Sequence, residues 1–223
     1  MKFEEHVLYM GWPNCLRLYN DEAELIIAID IGIRILHYGF IRGQNIFYLS
    51  AEDMGQQGGN KWKIYGGHRL WHAPEAIPRT YFPDNSPIKY SFDGKNLLLT
   101  QLQETITGLI KQIQIRAFEH GNRVEVLHRI INQNLWPVKL SVWAISVMRP
   151  GGTAVIPQEP YGEGDDYLLP TRSMALWSYT QMHDLRWRWG RKYIQASQDV
   201  NLVSEQKIGI LNKQGLGGIL SRG

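Results

Sequence analysis

The feature that most constrains the fold of this chain is a recurring alternation of apolar and polar residues with a period of two. Between residues 113 and 118, Ile113, Ile115 and Ala117 fall on one face of an extended chain and the polar residues between them fall on the other. Helical periodicity is scarce, so the pattern predicts half-buried β-strands.

A second alternating run, residues 123–131, follows the first after a short polar connection. The Gly121-Asn122 pair between the runs suits the positive φ angles of a tight turn, which predicts a β-hairpin. His128 falls on the apolar face of the second run. This position favours a hydrogen-bonded core histidine over a ligand.

Similar short runs recur along the chain, and no Ser/Pro-rich linker separates them. Further strands are predicted at 24–30, 33–38, 46–49, 96–102, 138–147, 174–179, 185–189 and 207–211. At 223 residues and 43% hydrophobic composition, the chain is long and apolar enough for one large core. We therefore expect an all-β protein, an antiparallel sandwich that forms a single domain over residues 1–223.

Charge and cysteine content narrow the partners and the compartment. The 24 basic and 21 acidic residues give a net charge of only +3, so no nucleic-acid partner is expected. The longest apolar runs fall short of the roughly 20 residues of a membrane span, so no membrane partner is expected either. Cys15 is the single cysteine, and acidic residues stand where a signal peptide would be basic. A cytoplasmic location is expected.

Two long segments, 55–87 and 150–170, are predicted to be irregular because they are rich in glycine, proline and polar residues. Loops of this length in a compact domain commonly build binding sites. Functional residues are therefore expected in these segments.

The first segment contains the densest polar and aromatic motif of the chain, residues 68–75. His68 and His72 have the i, i+4 spacing of metal ligands on a helix, and Glu75 could add a carboxylate. Adjacent glycines before the motif and a proline within it oppose a helix, so no metal site is predicted. A structural loop with exposed imidazoles and a site for a polar small molecule are both open interpretations.

A sugar matches the second interpretation. His68 and Arg69 could donate hydrogen bonds to hydroxyl groups, and Trp71 could pack against the C–H face of a sugar ring. Trp143, on a predicted strand, shares its face with polar neighbours, so it is either packing bulk or a further aromatic platform.

The second segment contains Glu159 at the start of an acidic stretch, 157–166. A solvated loop is favoured there over a calcium loop, because the alternation of acidic ligands with a distal glutamate is missing. The sequence also lacks the glycine-rich motifs of nucleoside triphosphatases and dinucleotide enzymes and the serine elbow of α/β-hydrolases. No cofactor is predicted.

Three parts of the sequence resemble the galactose mutarotase-like superfamily. They are residues 31–45, with a glycine-flanked apolar run leading to Asn45; residues 65–85, with a Gly-Gly-His-Arg-Leu-Trp-His-Ala-Pro-Glu motif; and residues 132–160. The resemblance covers roughly residues 20–215. It implies a twisted antiparallel β-supersandwich with a sugar-sized groove on one sheet.

The resemblance also implies a chemistry. In active members a carboxylate base removes the proton of the anomeric hydroxyl while a histidine acid protonates the ring oxygen. Here Trp143 stands where the acid histidine is expected. The strand that carries the base is also missing, because members usually continue for several more strands, which implies that the C-terminal part of the fold is truncated.

We therefore expect a carbohydrate-binding protein of the galactose mutarotase-like type, without catalysis. The expected groove residues are His68, Arg69, Trp71, Glu75, Trp143 and Glu159. One alternative is an aldose 1-epimerase, an isomerase in which Glu159 or Glu75 is the base and His68 is the acid. Another is a non-enzymatic β-sheet interaction module. An exposed sheet edge near residues 207–211 predicts a homo-oligomer.

Overall fold

The computed structural model describes residues 1–159 and 168–221, and its contacts divide the chain into two compact units, Met1–Met148 and Arg149–Gly223. All regular structure in the described residues is β, and every strand pairing is antiparallel. The expected all-β class is confirmed. The single domain over residues 1–223 stays a prediction.

The first unit contains two antiparallel sheets. The six-stranded sheet has the order β1 (Lys2–Tyr9), β2 (Trp12–Tyr19), β3 (Ala23–Ala28), β4 (Arg34–Phe40), β5 (His68–Ala73) and β10 (Ser141–Ser146). The four-stranded sheet has the order β6 (Lys89–Phe92), β7 (Leu97–Thr100), β8 (Leu109–Ala117) and β9 (Val124–Asn132).

The main core of this unit lies between the two sheets. Leu18 and Ile27 of the six-stranded sheet and Ile113 and Ile115 of the other are completely buried in one cluster. Along β8 buried and half-buried residues alternate without interruption. The period-two prediction for residues 113–118 is confirmed, since Ile113, Ile115 and Ala117 are buried and the polar residues between them are half-buried.

The β8–β9 hairpin is also confirmed, but its turn is longer than expected. Pairing ends at Ala117 and Val124, which leaves a connection over residues 118–123 in place of a two-residue turn. The side-chain amide of Asn20 donates to the carbonyl oxygens of Phe118 and Gly121 at 2.9 and 2.7 Å. These bonds hold the wider loop in place, and Gly121 takes the positive φ of +80° that it requires.

A smaller core covers the opposite face of the six-stranded sheet. Trp12, Cys15 and Leu36 pack there with Tyr65, which comes from the segment between β4 and β5. Cys15 is completely buried, and burial raises its pKa to about 12. The thiol is therefore protonated and shielded from reaction.

The second unit has a four-stranded sheet and a two-stranded sheet. The four-stranded sheet has the order β13 (Trp187–Trp189), β14 (Tyr193–Ser197), β11 (Thr153–Pro157) and β16 (Gly218–Leu220), and β12 (Met174–Leu176) pairs with β15 (Ile208–Ile210). Three of these strands were predicted, at greater length.

Several expectations about strands and loops are wrong. The segments 55–87 and 150–170 are not irregular throughout, because they contain β5 and β11. Residues 46–49 form two isolated bridges, Phe47 to Met148 and Leu49 to Gly66, in place of a strand. In β5 and β11, pairing with neighbouring strands provides the backbone hydrogen bonds. In residues 46–49, only the isolated bridges of Phe47 and Leu49 pair the backbone with other parts of the chain.

Candidate functional site

The motif at 68–75 is mostly a strand, and this placement decides what its side chains can do. Pairing of β5 with β10 over its whole length, and with β4 at His68, overrides the breaking effect of the neighbouring glycines and proline. His68, Leu70 and His72 face the core between the two sheets, because Leu70 packs in that core and His68 contacts β9. Arg69 therefore lies on the opposite face. The interpretation of residues 68–73 as a loop with exposed imidazoles is wrong, because these residues form β5 and His72 is buried.

Trp71 lies at the centre of four aromatic rings on the outer face of the six-stranded sheet, which we call the aromatic cluster. Its ring centroid lies 5.7 Å from that of Trp62, 5.1 Å from that of Tyr81 and 5.4 Å from that of Trp143, in edge-to-face orientation. Trp71 is buried, whereas the other three rings keep part of their surface in solvent. The cluster thus has a buried centre and an accessible rim.

Trp143 reaches the cluster because β10 pairs with β5 in a register that places it directly opposite Trp71. Side chains opposite each other in an antiparallel pair lie close together on one face of the sheet. Of the two interpretations of Trp143, this geometry supports a half-buried ring at the accessible side of an aromatic surface.

Glu75 lies beside the rim of the cluster, just after β5. The phenol group of Tyr81 donates a hydrogen bond to its carboxylate, and this bond together with the carboxylate charge raises the pKa of Tyr81. The carboxylate and the phenol are polar groups that lie beside the exposed rings. They provide an acceptor and a hydroxyl group next to a flat apolar surface.

Arg69 is buried beneath the cluster. Its guanidinium carbon lies 4.7 Å from the centroid of the Trp71 ring, and its Nη2 donates to both carboxylate oxygens of Asp84 at 2.9 Å. Arg34 also binds Asp84, at 2.6 and 3.1 Å. Burial opposes the charge of Asp84, yet the two arginines hold its pKa at about 2. The structure therefore places Arg69 in a buried ion-pair network.

His68 lies on the other face of β5, in a chain of hydrogen-bonding side chains. Its Nδ1 is 2.8 Å from the hydroxyl oxygen of Ser146, and its Nε2 is 2.8 Å from Nε2 of His128. Burial, with a smaller contribution from the nearby His128, lowers the pKa of His68 to about 4. His68 is neutral at pH 7 and is not brought to the face that carries the aromatic cluster. His128 is hydrogen-bonded, but it is only half-buried, whereas the sequence favours a core histidine.

Glu159 belongs to the second unit and lies two residues after the end of β11. Its carboxylate accepts a hydrogen bond from the backbone N–H of Lys213 at 3.0 Å, and it lines a pocket of about 520 Å³ with Gln158, Tyr193 and Gln214 among other residues. The other acidic residues of the stretch 157–166 lie outside the described residues. The pairing of Glu159 with His68 as base and acid stays a prediction.

The described part of the chain contains no cluster of side chains that could bind a metal ion. Within residues 1–159 and 168–221, no three side chains of His, Cys, Asp or Glu come together as ligands. The strand conformation of β5 separates His68 from His72, because four residues span about 13 Å in an extended chain, whereas one helical turn would place them side by side. The described residues also contain no helix that is long and apolar enough to cross a membrane.

The sequence missed three residues that shape this site, namely Trp62, Tyr81 and Asp84. All three fall within the segment 55–87, where the density of aromatic residues could have pointed to the cluster. Asp84 carried no such pattern, because its two arginine partners lie 50 and 15 positions away in the chain.

Comparison of the chain with protein-family models, curated proteins and solved structures finds no match.

Proposed function

We propose that the protein binds a carbohydrate at the aromatic cluster, on a sandwich of the galactose mutarotase-like type. The observation that carries this proposal is the buried Trp71 ring surrounded by the partly exposed rings of Trp62, Tyr81 and Trp143. A sugar presents C–H groups on one face of its ring and hydroxyl groups around the edge. Flat aromatic surfaces match the first, and directed polar groups match the second.

The polar groups beside the rim support the same ligand class. The Glu75 carboxylate, which accepts a hydrogen bond from Tyr81, places acceptor oxygens beside the rim. The Tyr81 oxygen can also accept a hydrogen bond while it donates to Glu75. A neutral polyol therefore finds acceptors at the edge of the cluster without needing a buried charge.

Binding without catalysis is favoured over epimerisation because the described groups do not form an acid–base pair. Ring opening needs two such groups on opposite sides of the sugar. His68 lies on the far face of β5, and the Arg69 guanidinium is held by Asp84. An epimerase that uses Glu75 or Glu159 as base stays an alternative, and a mutarotation assay by polarimetry tests it.

Titration of the protein with galactose and glucose, followed by tryptophan fluorescence and calorimetry, tests the proposal. Trp143→Ala removes a ring from the rim and should weaken binding roughly tenfold, since about 1.4 kcal/mol corresponds to one decade in Kd. Trp136→Ala is the matched control, because Trp136 is 62% exposed and lies outside the cluster. This control should leave sugar binding unchanged.

Two outcomes would contradict the proposal. If Trp143→Ala and Trp136→Ala weaken sugar binding equally, the aromatic cluster is not the binding surface. Absence of binding to every member of a sugar array by the folded protein would favour the interaction-module alternative, in which the exposed sheet edges contact another protein.

A further inference from the structure

The first unit contains a cavity that the proposed function does not use. It has a volume of about 270 Å³ and lies where β8 begins and β9 ends, so we call it the terminal cavity. It is lined by polar residues, among them His72 and Arg79, and by apolar residues, among them Leu109, Trp136 and Leu140. Its size is slightly below the roughly 300 Å³ at which pockets begin to hold drug-sized ligands, which suits a smaller molecule.

His72 supplies unused hydrogen-bonding capacity in the wall of this cavity. The residue is 1% exposed, and neither ring nitrogen has a partner among residues 1–159 and 168–221. Burial, aided by the charges of Lys111 and Arg79 and opposed by Glu104, lowers the pKa of His72. The ring is therefore neutral at pH 7 and offers one donor and one acceptor. Buried polar groups are normally paired, so this ring calls for a partner.

The charges around the cavity favour an anion. Behind His72, the ammonium of Lys111 lies 2.5 Å from the Glu104 carboxylate, and the two buried groups neutralise each other. Arg79 is left as the charge that faces the cavity. It donates through Nη2 to the carbonyl oxygen of Pro74, while its Nε is buried without a partner among the described residues. No ion pair of Arg79 occurs within residues 1–159 and 168–221, and a single guanidinium matches a single carboxylate.

The remaining walls are mostly apolar. Thr107 and Asn134 also line the cavity, but the Thr107 hydroxyl and the Asn134 side-chain N–H groups already donate hydrogen bonds within the protein. Leu109 and Leu140 form the inner part of the surface, and Ile106, Trp136 and Val138 lie at the exposed rim. A sugar would leave most of its hydroxyl groups unpaired against these walls. A free phosphate would find one guanidinium for two charges. An anion with an apolar body avoids both penalties.

We propose that the terminal cavity binds a small organic monocarboxylate, with its carboxylate at Arg79 and His72 and its apolar body against Leu109, Leu140 and Trp136. This site is independent of the aromatic cluster, because His72 and Trp71 point to opposite faces of β5. Failure of sugar binding therefore leaves this proposal standing, and the reverse also holds.

Isothermal titration calorimetry of the full chain at pH 7 with phenylacetate tests the proposal. Phenylacetamide is the neutral probe of the same shape and should bind at least tenfold more weakly. Arg79→Gln should weaken phenylacetate binding about tenfold, whereas Arg123→Gln, the matched control, should not change it. Arg123 is 73% exposed and pairs with Glu125 on the surface.

A second variant keeps the test decisive if Arg79→Gln does not fold. Val138 is 38% exposed at the rim, so Val138→Trp should narrow the cavity without disturbing the core and should abolish binding. The proposal is overturned if the folded wild-type protein gives no saturable heat up to about 10 mM phenylacetate. Equal binding of acid and amide, or unchanged binding in Val138→Trp, would overturn it as well.

Discussion

At the scale of single residues, the Arg34–Asp84–Arg69 network is a group of three charges that is almost completely buried in the first unit. We expect Arg69→Ala to destabilise the protein by about 3 kcal/mol, because it leaves the buried Asp84 with one partner in place of two. This value is at the lower end of the range for broken buried pairs, since Arg34 still binds Asp84. Urea unfolding measures the loss.

If Arg69 were instead an exposed residue that donates hydrogen bonds to a sugar, as the sequence suggests, Arg69→Ala would show the reverse pattern. Sugar binding would be weaker and the stability of the protein would be unchanged. Arg123→Ala serves as the control, since Arg123 is 73% exposed and its loss should cost less than about 0.5 kcal/mol. If Arg69→Ala is as stable as Arg123→Ala, the ion-pair role assigned to the guanidinium is wrong.

A second prediction at this scale concerns pH. The pKa of His68 is about 4 in the folded protein, against the ordinary imidazole value of 6.5 in the unfolded chain, because burial and His128 disfavour the imidazolium. The unfolded chain therefore binds more protons than the folded one as the pH falls from 6.5 to about 4. Stability is complete above pH 6.5 and decreases through this window, by at most about 3 kcal/mol from this group.

Urea midpoints at pH 7 and at about pH 4 check this prediction. The pKa of His128 is lowered by burial as well, so its contribution has the same sign. His68→Gln should reduce the difference between the two midpoints, whereas His120→Gln, at an exposed position, should preserve it. An identical pH dependence in all three proteins would contradict the assigned shift.

At the scale of elements, the glycine before β5 decides whether the strand can lie between its neighbours. Gly67 has a φ of +70°, and a Cβ atom there would overlap the backbone oxygen of Ile35 in β4. Its N–H donates to the carbonyl oxygen of Tyr48 and its own carbonyl accepts from Val147, both at 2.9 Å. The backbone cannot shift without breaking these bonds.

We therefore expect Gly67→Ala to cost at least about 2 kcal/mol more than Gly58→Ala. Gly58 has a similar φ of +64° but no atom within 4 Å of an added Cβ, so the control isolates the steric overlap from the backbone strain. Thermal or urea unfolding of the two variants gives the comparison. Equal losses would show that β4 and β5 can separate to admit the methyl group.

The same strand shows why the sequence predicted some elements and missed others. The hairpin β8–β9 was predictable because the side chains of β8 sort by face into buried and half-buried ones, which produces the period-two pattern. In β5, four consecutive residues from Arg69 to His72 are buried, so both faces of the strand are buried and its sequence shows no alternation of polar and apolar residues. Its flanking glycines and proline then suggested a loop. The aromatic cluster depends on this strand and was predictable only in part.

At the scale of the whole molecule, the strand β15 bears on the predicted homo-oligomer. Within the described residues it pairs only with β12, and neighbouring Leu211 is 53% exposed. An open edge beside exposed apolar side chains favours pairing with a second chain. Sedimentation velocity should show a dimer or larger assembly of the wild-type protein, and Leu211→Lys should shift it towards monomer. A wild-type monomer throughout the micromolar range would contradict the prediction.

The two compact units differ greatly in how much core each one has. In the first unit, the two core clusters bury the apolar side chains of both sheets. Among residues 149–159 and 168–221, Ile194 and Pro157 are the only buried ones. Since burial of apolar surface supplies most of the stabilisation, the first unit should unfold at a higher denaturant concentration than the second.

Hydrogen exchange followed by mass spectrometry tests this difference directly. Amides of β3 and β8 should exchange only by global unfolding, whereas those of β12, β13 and β15 should exchange orders of magnitude faster. A fragment of residues 1–148 should keep the protection of β3 and β8, because both core clusters lie within it. If the fragment loses this protection, the core of the first unit depends on the second. The chain would then fold as the single domain over residues 1–223 that its sequence suggests.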